Sequence, residues 1–176
     1  MDWLILSAFF LDLIFGDPRL LPHPVIHIGR LVNRLELFLV SMIGRRRDTG
    51  SLLVFLTLVI SGAIAWGLIS LGGAIAPAVG FAVSLWLAWT CLALHSLHKE
   101  SREVVRLVEM GHIEDARSAL SLIVGRQTSH LDEEGILRAC IETVAENTSD
   151  GVVAPLFYLF LGGPVLAILY KTLNTL

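Results

Sequence analysis

The chain has 176 residues, of which 55% are hydrophobic and only 16% are charged, and its mean hydropathy is +0.73. These values are unlike those of an ordinary soluble domain and favour an integral membrane protein. Residues 99–150 carry six basic and eleven acidic side chains, a balance of −5, which argues against a nucleic-acid surface there. Cys91 and Cys140 lie in different kinds of segment, so no disulfide is predicted.

The first 50 residues combine a short apolar segment with a polar block. Residues 1–16 lack the basic region of a secretory signal, so this apolar segment is expected to be retained. It contains Asp12, which favours a short tilted span or a buried helix. Residues 17–50 are predicted to form a loop and an amphipathic helix, because apolar residues recur at helical spacing from Ile28 to Met42. This helix is expected to lie at the membrane interface or to cover the bundle.

Residues 51–98 are predicted to form a transmembrane hairpin. Leu52–Leu71 and Ala78–Leu97 each supply about 20 residues, enough for a hydrocarbon core of about 30 Å. The uncharged connection from Gly72 to Pro77 is typical of a tight turn. Most basic residues lie in the polar blocks on either side of the hairpin, so the positive-inside rule predicts that both blocks face the cytoplasm. The expected location is the inner (cytoplasmic) membrane, with multiple spans.

Residues 99–150 are predicted to form cytoplasmic helices. Gly111 and Gly125 are expected to end the first two, and a third helix is expected from Leu131 to about Glu146. Thr128 or Ser129 is the predicted N-cap of the third helix. The stretch VGRQT is therefore expected just before a helix N-terminus, where Gly125, Arg126 and Thr128 favour a phosphate.

Glu142 and Glu146 stand one helical turn apart near the predicted end of the third helix. Like charges at this spacing repel each other, and a helix C-terminus disfavours anions. Two interpretations stay open at this point. The carboxylates form a solvated charged stripe, or they hold Mg²⁺ or a cationic group together with Asn147 and Asp150.

Residues 151–176 are apolar but interrupted at Gly162-Gly163-Pro164, which predicts a broken membrane segment or a re-entrant one. The sequence as a whole predicts one all-α, polytopic membrane domain over residues 1–176. Its parts are a cytoplasmic helical segment, an interfacial amphipathic helix and membrane segments, the last of which follows the polar residues 145–150 directly.

Three stretches of the chain are distinctive together: DLIFGDPRLLPHPVIHIGRL, IVGRQTSHLDEEGILRACIETVAENTSDGVVAPLFY and GGPVLAILYKTLNTL. They resemble the adenosylcobinamide-phosphate synthase family of cobalamin biosynthesis (CobD/CbiB), over nearly the whole chain. The run AENTSDG followed by APLFY is highly specific, and its order relative to GDP and HPV agrees with the family. The family usually has Asp where this sequence has Gln127. Family members also continue beyond an NTL like that at 174–176, so the chain is expected to be an N-terminal portion.

The resemblance implies an enzyme that joins the ring-D propionate of adenosylcobyric acid to aminopropanol phosphate through an amide. ATP, with Mg²⁺, would activate the carboxylate as an acyl phosphate, and the amine would attack it. The product would be adenosylcobinamide phosphate. Implied partners are the two substrates and the lipid bilayer, with no nucleic acid; a homo-oligomer or another membrane partner stays open. The alternative function is non-enzymatic: a transporter component or a corrinoid-handling scaffold that uses the same polar residues for binding.

Roles for individual side chains follow from the resemblance and from their chemistry. Phosphates need cations, metal ions need carboxylates, and the attacking amine must lose a proton to a base. The expected catalytic residues are Asp17, His23 and Glu146; the expected substrate ligands are Arg30, Arg126, Thr128, Asn147, Lys171 and Asn174; and the expected metal ligands are Glu142, Glu146 and Asp150.

Overall fold

A computed structural model describes residues 2–17 and 23–176. In these residues the structure is mostly helical and contains no strand, which confirms the predicted all-α class. The helices, in chain order, are α1 (Asp2–Phe15), α2 (Pro24–Ile43), α3 (Arg47–Ile75), α4 (Pro77–Trp89), α5 (Leu94–Glu109), α6 (Ile113–Ser121), α7 (Glu133–Thr148), a π-helical turn (Ser149–Val153) and α8 (Ala154–Thr175).

Three helical stretches are long and apolar enough to cross a membrane, judged by length and composition: Arg47–Ile75, Pro77–Glu109 and Glu133–Thr175. The first is one uninterrupted helix, α3. The second includes the predicted span from Ala78 to Leu97, and a break between α4 and α5 interrupts its helix. The third contains the π-helical turn and a further break inside α8.

The α3–α4 hairpin turns more tightly than predicted. The segment from Gly72 to Pro77 was expected to be a loop, but α3 continues to Ile75 and only Ala76 separates the two helices. Glycines allow this close approach, because a Cβ atom on Gly80 would lie 2.9 Å from the Cα atom of Gly73. The missing side chains let the two backbones touch near the tip of the hairpin.

Helix α2 packs against the bundle, as the second of its two predicted positions requires, and its position at the membrane interface stays a prediction. It packs against α3 and α8, and it buries Ile28 and Leu39. Its end is tied to the start of α3, where the Thr49 hydroxyl donates to the carbonyl of Gly44 at 2.8 Å. The first half of α2 faces the middle of α3, and the two helices border a groove described below.

The break between α4 and α5 is held by long-range hydrogen bonds. The N–H of Leu94, at the start of α5, donates to Asp12 Oδ2 at 2.8 Å. Asp12 belongs to α1 and is fully buried, so it caps α5 from a different helix. The preceding N–H, of Ala93, donates to the carbonyl of Gly151 in the π-helical turn at 3.0 Å. Three distant parts of the chain therefore meet at this break.

Helix α8 folds back on itself. Gly162 and Gly163 have non-helical torsions, and Gly163 has a positive φ of 68°. These glycines and Pro164 divide α8 into α8a (154–161) and α8b (164–175). The rings of Tyr158 and Tyr170 stack with centroids 4.8 Å apart, whereas twelve residues of straight helix would separate them by about 18 Å. The two halves therefore run side by side.

A second, smaller core lies between α5, α6 and α7. It is built from buried side chains that include Val104, Leu120 and Ile136. Gly111 has a positive φ of 74° just after α5, as predicted. The prediction for Gly125 is wrong, because α6 already ends at Ser121.

Candidate functional site

A polar cleft of about 400 Å³ opens beside the second half of α7. Three parts of the chain form its walls: the loop after α6, the end of α7 with the π-helical turn, and the end of α8b. Its lining residues are Ile123, Val124, Gly125, Arg126, Glu142, Thr143, Glu146, Asn147, Asp150 and Asn174. The cleft thus brings together six of the residues that the sequence predicts for substrate or metal binding.

Arg126 and Glu142 form an ion pair across the cleft. The guanidinium Nη2 lies 2.5 Å from Glu142 Oε2, and both side chains are more than half exposed. Glu142 therefore has a cation beside it, so the predicted repulsion between Glu142 and Glu146 is smaller than their spacing suggests. The helix-end argument is also wrong, because the helical path continues beyond Glu146 through the π-helical turn into α8.

The π-helical turn holds Asp150 at the edge of the cleft. Asn174 Nδ2 donates to Asp150 Oδ2 at 3.3 Å, and the Tyr170 hydroxyl donates to the Asp150 carbonyl at 3.2 Å. Both contacts come from α8b, so the fold-back of α8 positions this carboxylate. The Asn147 amide donates to the carbonyl of Thr143 at 3.0 Å, which leaves its side-chain oxygen as the free acceptor.

The cleft offers carboxylate and amide oxygens, which are the ligands that Mg²⁺ prefers. Within the described residues, however, no three His, Cys, Asp or Glu side chains are grouped closely enough to hold a metal ion by themselves. This donor set suits Mg²⁺ that keeps several waters and shares one or two carboxylates with substrate phosphates. The metal roles of Glu142, Glu146 and Asp150 therefore stay predictions.

The loop VGRQT lies elsewhere than predicted. The N-cap of α7 is Asp132, whose carboxylate accepts from the N–H of Gly135 at 2.9 Å, so the predicted cap at Thr128 or Ser129 is wrong. Thr128 does not line the cleft; its buried hydroxyl donates to the carbonyl of Arg117 at 2.9 Å. Arg126 instead reaches the other half of α7.

A second polar cluster forms where α1 ends beside the start of α5. Ser96 donates to Asp17 Oδ2 at 3.1 Å, and His23 Nε2 lies 3.4 Å from Asp17 Oδ1. The hydrogen bond from His23 holds the pKa of Asp17 below its usual value, and Ser96 and the charge of Lys171 act in the same direction. A carboxylate with a lowered pKa is a weaker base, so this environment disfavours Asp17 as the acceptor of an amine proton.

Five predicted site residues lie outside the polar cleft, and one of them is Thr128, described above. Asp17 and His23 belong to the second cluster, and Lys171 is near enough to lower the pKa of Asp17. Arg30 lines the separate groove beside α2. The polar cleft and the second cluster are nevertheless joined through the α4–α5 break, because Ala93 bonds to Gly151 next to Asp150.

Sequence reasoning missed the supporting roles of two residues. Tyr170 holds the Asp150 carbonyl, and Asp12 caps α5 at the break. A signal existed for each: a phenol within an apolar run needs a partner for its hydroxyl, and a carboxylate within an apolar helix needs donors. The identity of those partners depends on the fold-back of α8 and on contacts across 82 residues.

The family model described as CobD/Cbib protein matches residues 5–176. The chain is similar to Cobalamin biosynthesis protein CobD of Geobacter metallireducens, at 48% identity over 172 residues that cover 98% of this chain and 54% of that protein. It is 45% identical to the CobD protein of a Listeria monocytogenes strain, over 97% of this chain and 55% of that protein. Cobalamin biosynthesis protein CbiB of Salmonella typhi is 43% identical over the whole of this chain and 56% of its own length.

The chain therefore spans about half the length of the curated relatives that it matches. No solved structure matches it. The match over residues 5–176, together with identities above 40% to these relatives, shows that the chain belongs to the CobD/CbiB family.

Proposed function

We propose that the protein to which this chain belongs makes adenosylcobinamide phosphate, by ATP-dependent formation of an amide between adenosylcobyric acid and aminopropanol phosphate. Family membership supports this reaction, and the names of the relatives support a role in cobalamin biosynthesis. The proposed location is the inner membrane, with the polar helices facing the cytoplasm.

The observation that carries the proposal is the composition of the polar cleft. A cation, three carboxylates and two amides from three parts of the chain share one opening of about 400 Å³. Amide synthesis from a carboxylate and an amine needs these groups: a cation for phosphate, carboxylates for a metal ion and for a proton, and hydrogen-bonding groups for amide side chains of the corrinoid.

In the proposed reaction Arg126 leaves Glu142 and binds a phosphate group. A guanidinium forms two parallel hydrogen bonds to phosphate, and these are stronger than one contact to an exposed carboxylate. Glu142 then becomes available, with Asp150, to hold Mg²⁺, which when bound neutralises phosphate charge during activation of the corrinoid carboxylate. Asp150 is already oriented by Asn174 and Tyr170.

We assign Glu146 the role of accepting the proton of the amine. It lines the cleft, it is exposed, and it has no ion-pair partner among the described residues. Asp17 is less suited, because its hydrogen bonds stabilise the charged form. Asn147 presents its side-chain oxygen to the cleft and would accept a hydrogen bond from an amide of the corrinoid.

The test is amide formation by the purified full-length protein in detergent, from adenosylcobyric acid, aminopropanol phosphate and MgATP. Glu146→Gln is expected to lower turnover by about 10²- to 10⁴-fold, the usual contribution of a general base. Glu134→Gln is the matched control, because Glu134 lies on the same helix but pairs with Arg138 outside the cleft. The control should keep wild-type turnover.

The same preparation distinguishes the enzyme from a transporter component or a corrinoid-handling scaffold. A scaffold would bind the corrinoid without forming an amide, and Glu146→Gln would then change neither property. If the wild type formed the amide but Glu146→Gln and Glu134→Gln lost turnover equally, the role assigned to Glu146 would be rejected. The proposed reaction itself would still stand.

A further inference from the structure

A second opening of about 480 Å³ lies between α2, α3 and α4, apart from the polar cleft. We call it the α2 groove. Its walls are mostly apolar and include Ile64, Leu68 and Leu87. One wall is different, because His27, Arg30 and Arg34 lie along it at helical spacing on α2. The groove therefore has a cationic side on α2 and an apolar side on α3 and α4.

Two buried polar atoms of residues that line the α2 groove have no hydrogen-bond partner: Ser61 Oγ and Trp86 Nε1. Ser61 is only 5% exposed. A buried donor without a partner loses the hydrogen bonds that water would have given it and gains nothing in return. Both atoms therefore fit a ligand with acceptor oxygens.

Comparable hydroxyl and indole side chains on α3 and α4 do have hydrogen-bond partners. The hydroxyls of Thr57 and Ser84, on the same two helices, donate to carbonyls four residues earlier at 2.7 and 2.8 Å. The indole of Trp89 donates to the carbonyl of Gly16 at 2.9 Å. Ser61 and Trp86 have the same chemistry as these residues but no such bond.

The two arginines are available to a ligand as well. Both are exposed, and among the described residues neither forms an ion pair with an acidic side chain. Phosphate matches the planar, forked geometry of the guanidinium, so this pair of arginines suits a phosphate group.

We infer that the α2 groove binds an anionic phospholipid. The phosphate would lie on Arg30 and Arg34, the ester carbonyl oxygens would accept hydrogen bonds from Ser61 and Trp86, and an acyl chain would lie along Ile64 and Leu68. The ligand must combine an anion, hydrogen-bond acceptors and an apolar chain, and a phospholipid has these in that order. Arg30 thereby keeps its expected phosphate ligand, but the phosphate belongs to a lipid and not to the amide-forming site.

The test uses the full-length protein in detergent, mixed with dioleoyl phosphatidylglycerol or dioleoyl phosphatidylcholine, with native mass spectrometry to count retained lipid. Retention of phosphatidylglycerol is expected to exceed that of phosphatidylcholine, and Arg30→Gln with Arg34→Gln should remove this preference. Ser61→Ala and Trp86→Phe should each weaken retention of both lipids about two- to tenfold, the effect of one hydrogen bond.

Ser84→Ala and Trp66→Phe are matched controls, because Ser84 bonds to its own helix and Trp66 is exposed outside the groove. Both should retain lipid like wild type. Thermal unfolding gives the second readout: without lipid, Ser61→Ala should unfold at or above the wild-type temperature, since no bond is lost, while the stabilisation by added lipid should fall.

Two results would overturn the inference. Equal lipid retention by wild type and the groove variants would mean that another part of the protein, or nothing, occupies the groove. Displacement of phosphatidylglycerol by millimolar inorganic phosphate would mean that the arginines bind a soluble phosphate compound and not a lipid.

Discussion

Replacing Arg126 by alanine should weaken the binding of phosphate and leave the unfolding free energy almost unchanged. In the structure Arg126 contacts Glu142 at 2.5 Å, but both side chains are more than half exposed. Ion pairs of this kind contribute about 0–1 kcal/mol, so the unfolding free energy of Arg126→Ala should stay within about 1 kcal/mol of wild type. A charge-assisted hydrogen bond to phosphate contributes about 1.5–3 kcal/mol, so affinity for aminopropanol phosphate should fall about ten- to 150-fold.

The assay is calorimetric titration of the full-length protein with aminopropanol phosphate, and separately with adenosylcobyric acid, in the absence of Mg²⁺. The corrinoid has no phosphate at this stage, so its affinity should change little. Glu142→Gln is the informative companion. It frees Arg126 from its partner and should raise phosphate affinity by up to about fivefold, the equivalent of 1 kcal/mol.

Two outcomes would refute this reasoning. If Arg126→Ala left phosphate affinity unchanged, the ion pair with Glu142 would be a surface contact without a binding role. If it weakened both substrates equally and lowered stability by several kcal/mol, the loop that carries Arg126 would be a structural support of the cleft.

Gly80→Ala should destabilise the α3–α4 hairpin by about 1–3 kcal/mol, because the added Cβ atom would lie 2.9 Å from the backbone of Gly73. Thermal unfolding measures this loss. Gly67→Ala is the control, and it should be neutral or stabilising because the space around Gly67 is open. Asp12→Ala should cost about 1–2 kcal/mol through loss of the α5 cap and should speed hydrogen exchange at the start of α5. Because His23 lowers the pKa of Asp17 in the folded protein, the stability from this contact is present above the usual pKa of about 4 and is lost as pH falls through the lowered value. Asp17→Asn should therefore flatten the acid side of the stability curve, and an unchanged curve would show that the contact contributes nothing.

The apolar stretches, and the glycines and prolines that interrupt them, predict most helices of this fold. Hydropathy locates α3, and the paired glycines before Pro164 locate the break in α8. The break between α4 and α5 has no such signal, because the residues there include neither glycine nor proline. It is stabilised by Asp12 and Gly151, which are remote in sequence, so local propensity cannot predict it.

The candidate site was also predictable only in part from the sequence. The spacing of Glu142, Glu146 and Asp150 places them on one side of a helical path, and the structure finds them around one cleft. The partner of Glu142 is Arg126, sixteen residues earlier on a loop, and helical periodicity carries no information about such a pair. The choice of Asp132 as the N-cap, over two hydroxyl side chains just upstream, was also beyond a propensity argument, since all three types are good caps.

The hydrogen bond from Ala93 to Gly151 has a consequence for the order of assembly during synthesis. Asp12 leaves the ribosome before Leu94, so α5 can be capped as soon as its first turn emerges. The carbonyl of Gly151 is made 58 residues after the N–H that it accepts, by subtraction of the two residue numbers. Until then the apolar residues from Pro77 to Leu97 are free to enter the bilayer as one continuous helix. We expect the nascent chain to pass through that intermediate, in which Asp150 and Asn174 do not yet line the polar cleft. The chain should bend at Thr90–Ala93 only after the π-helical turn has been made.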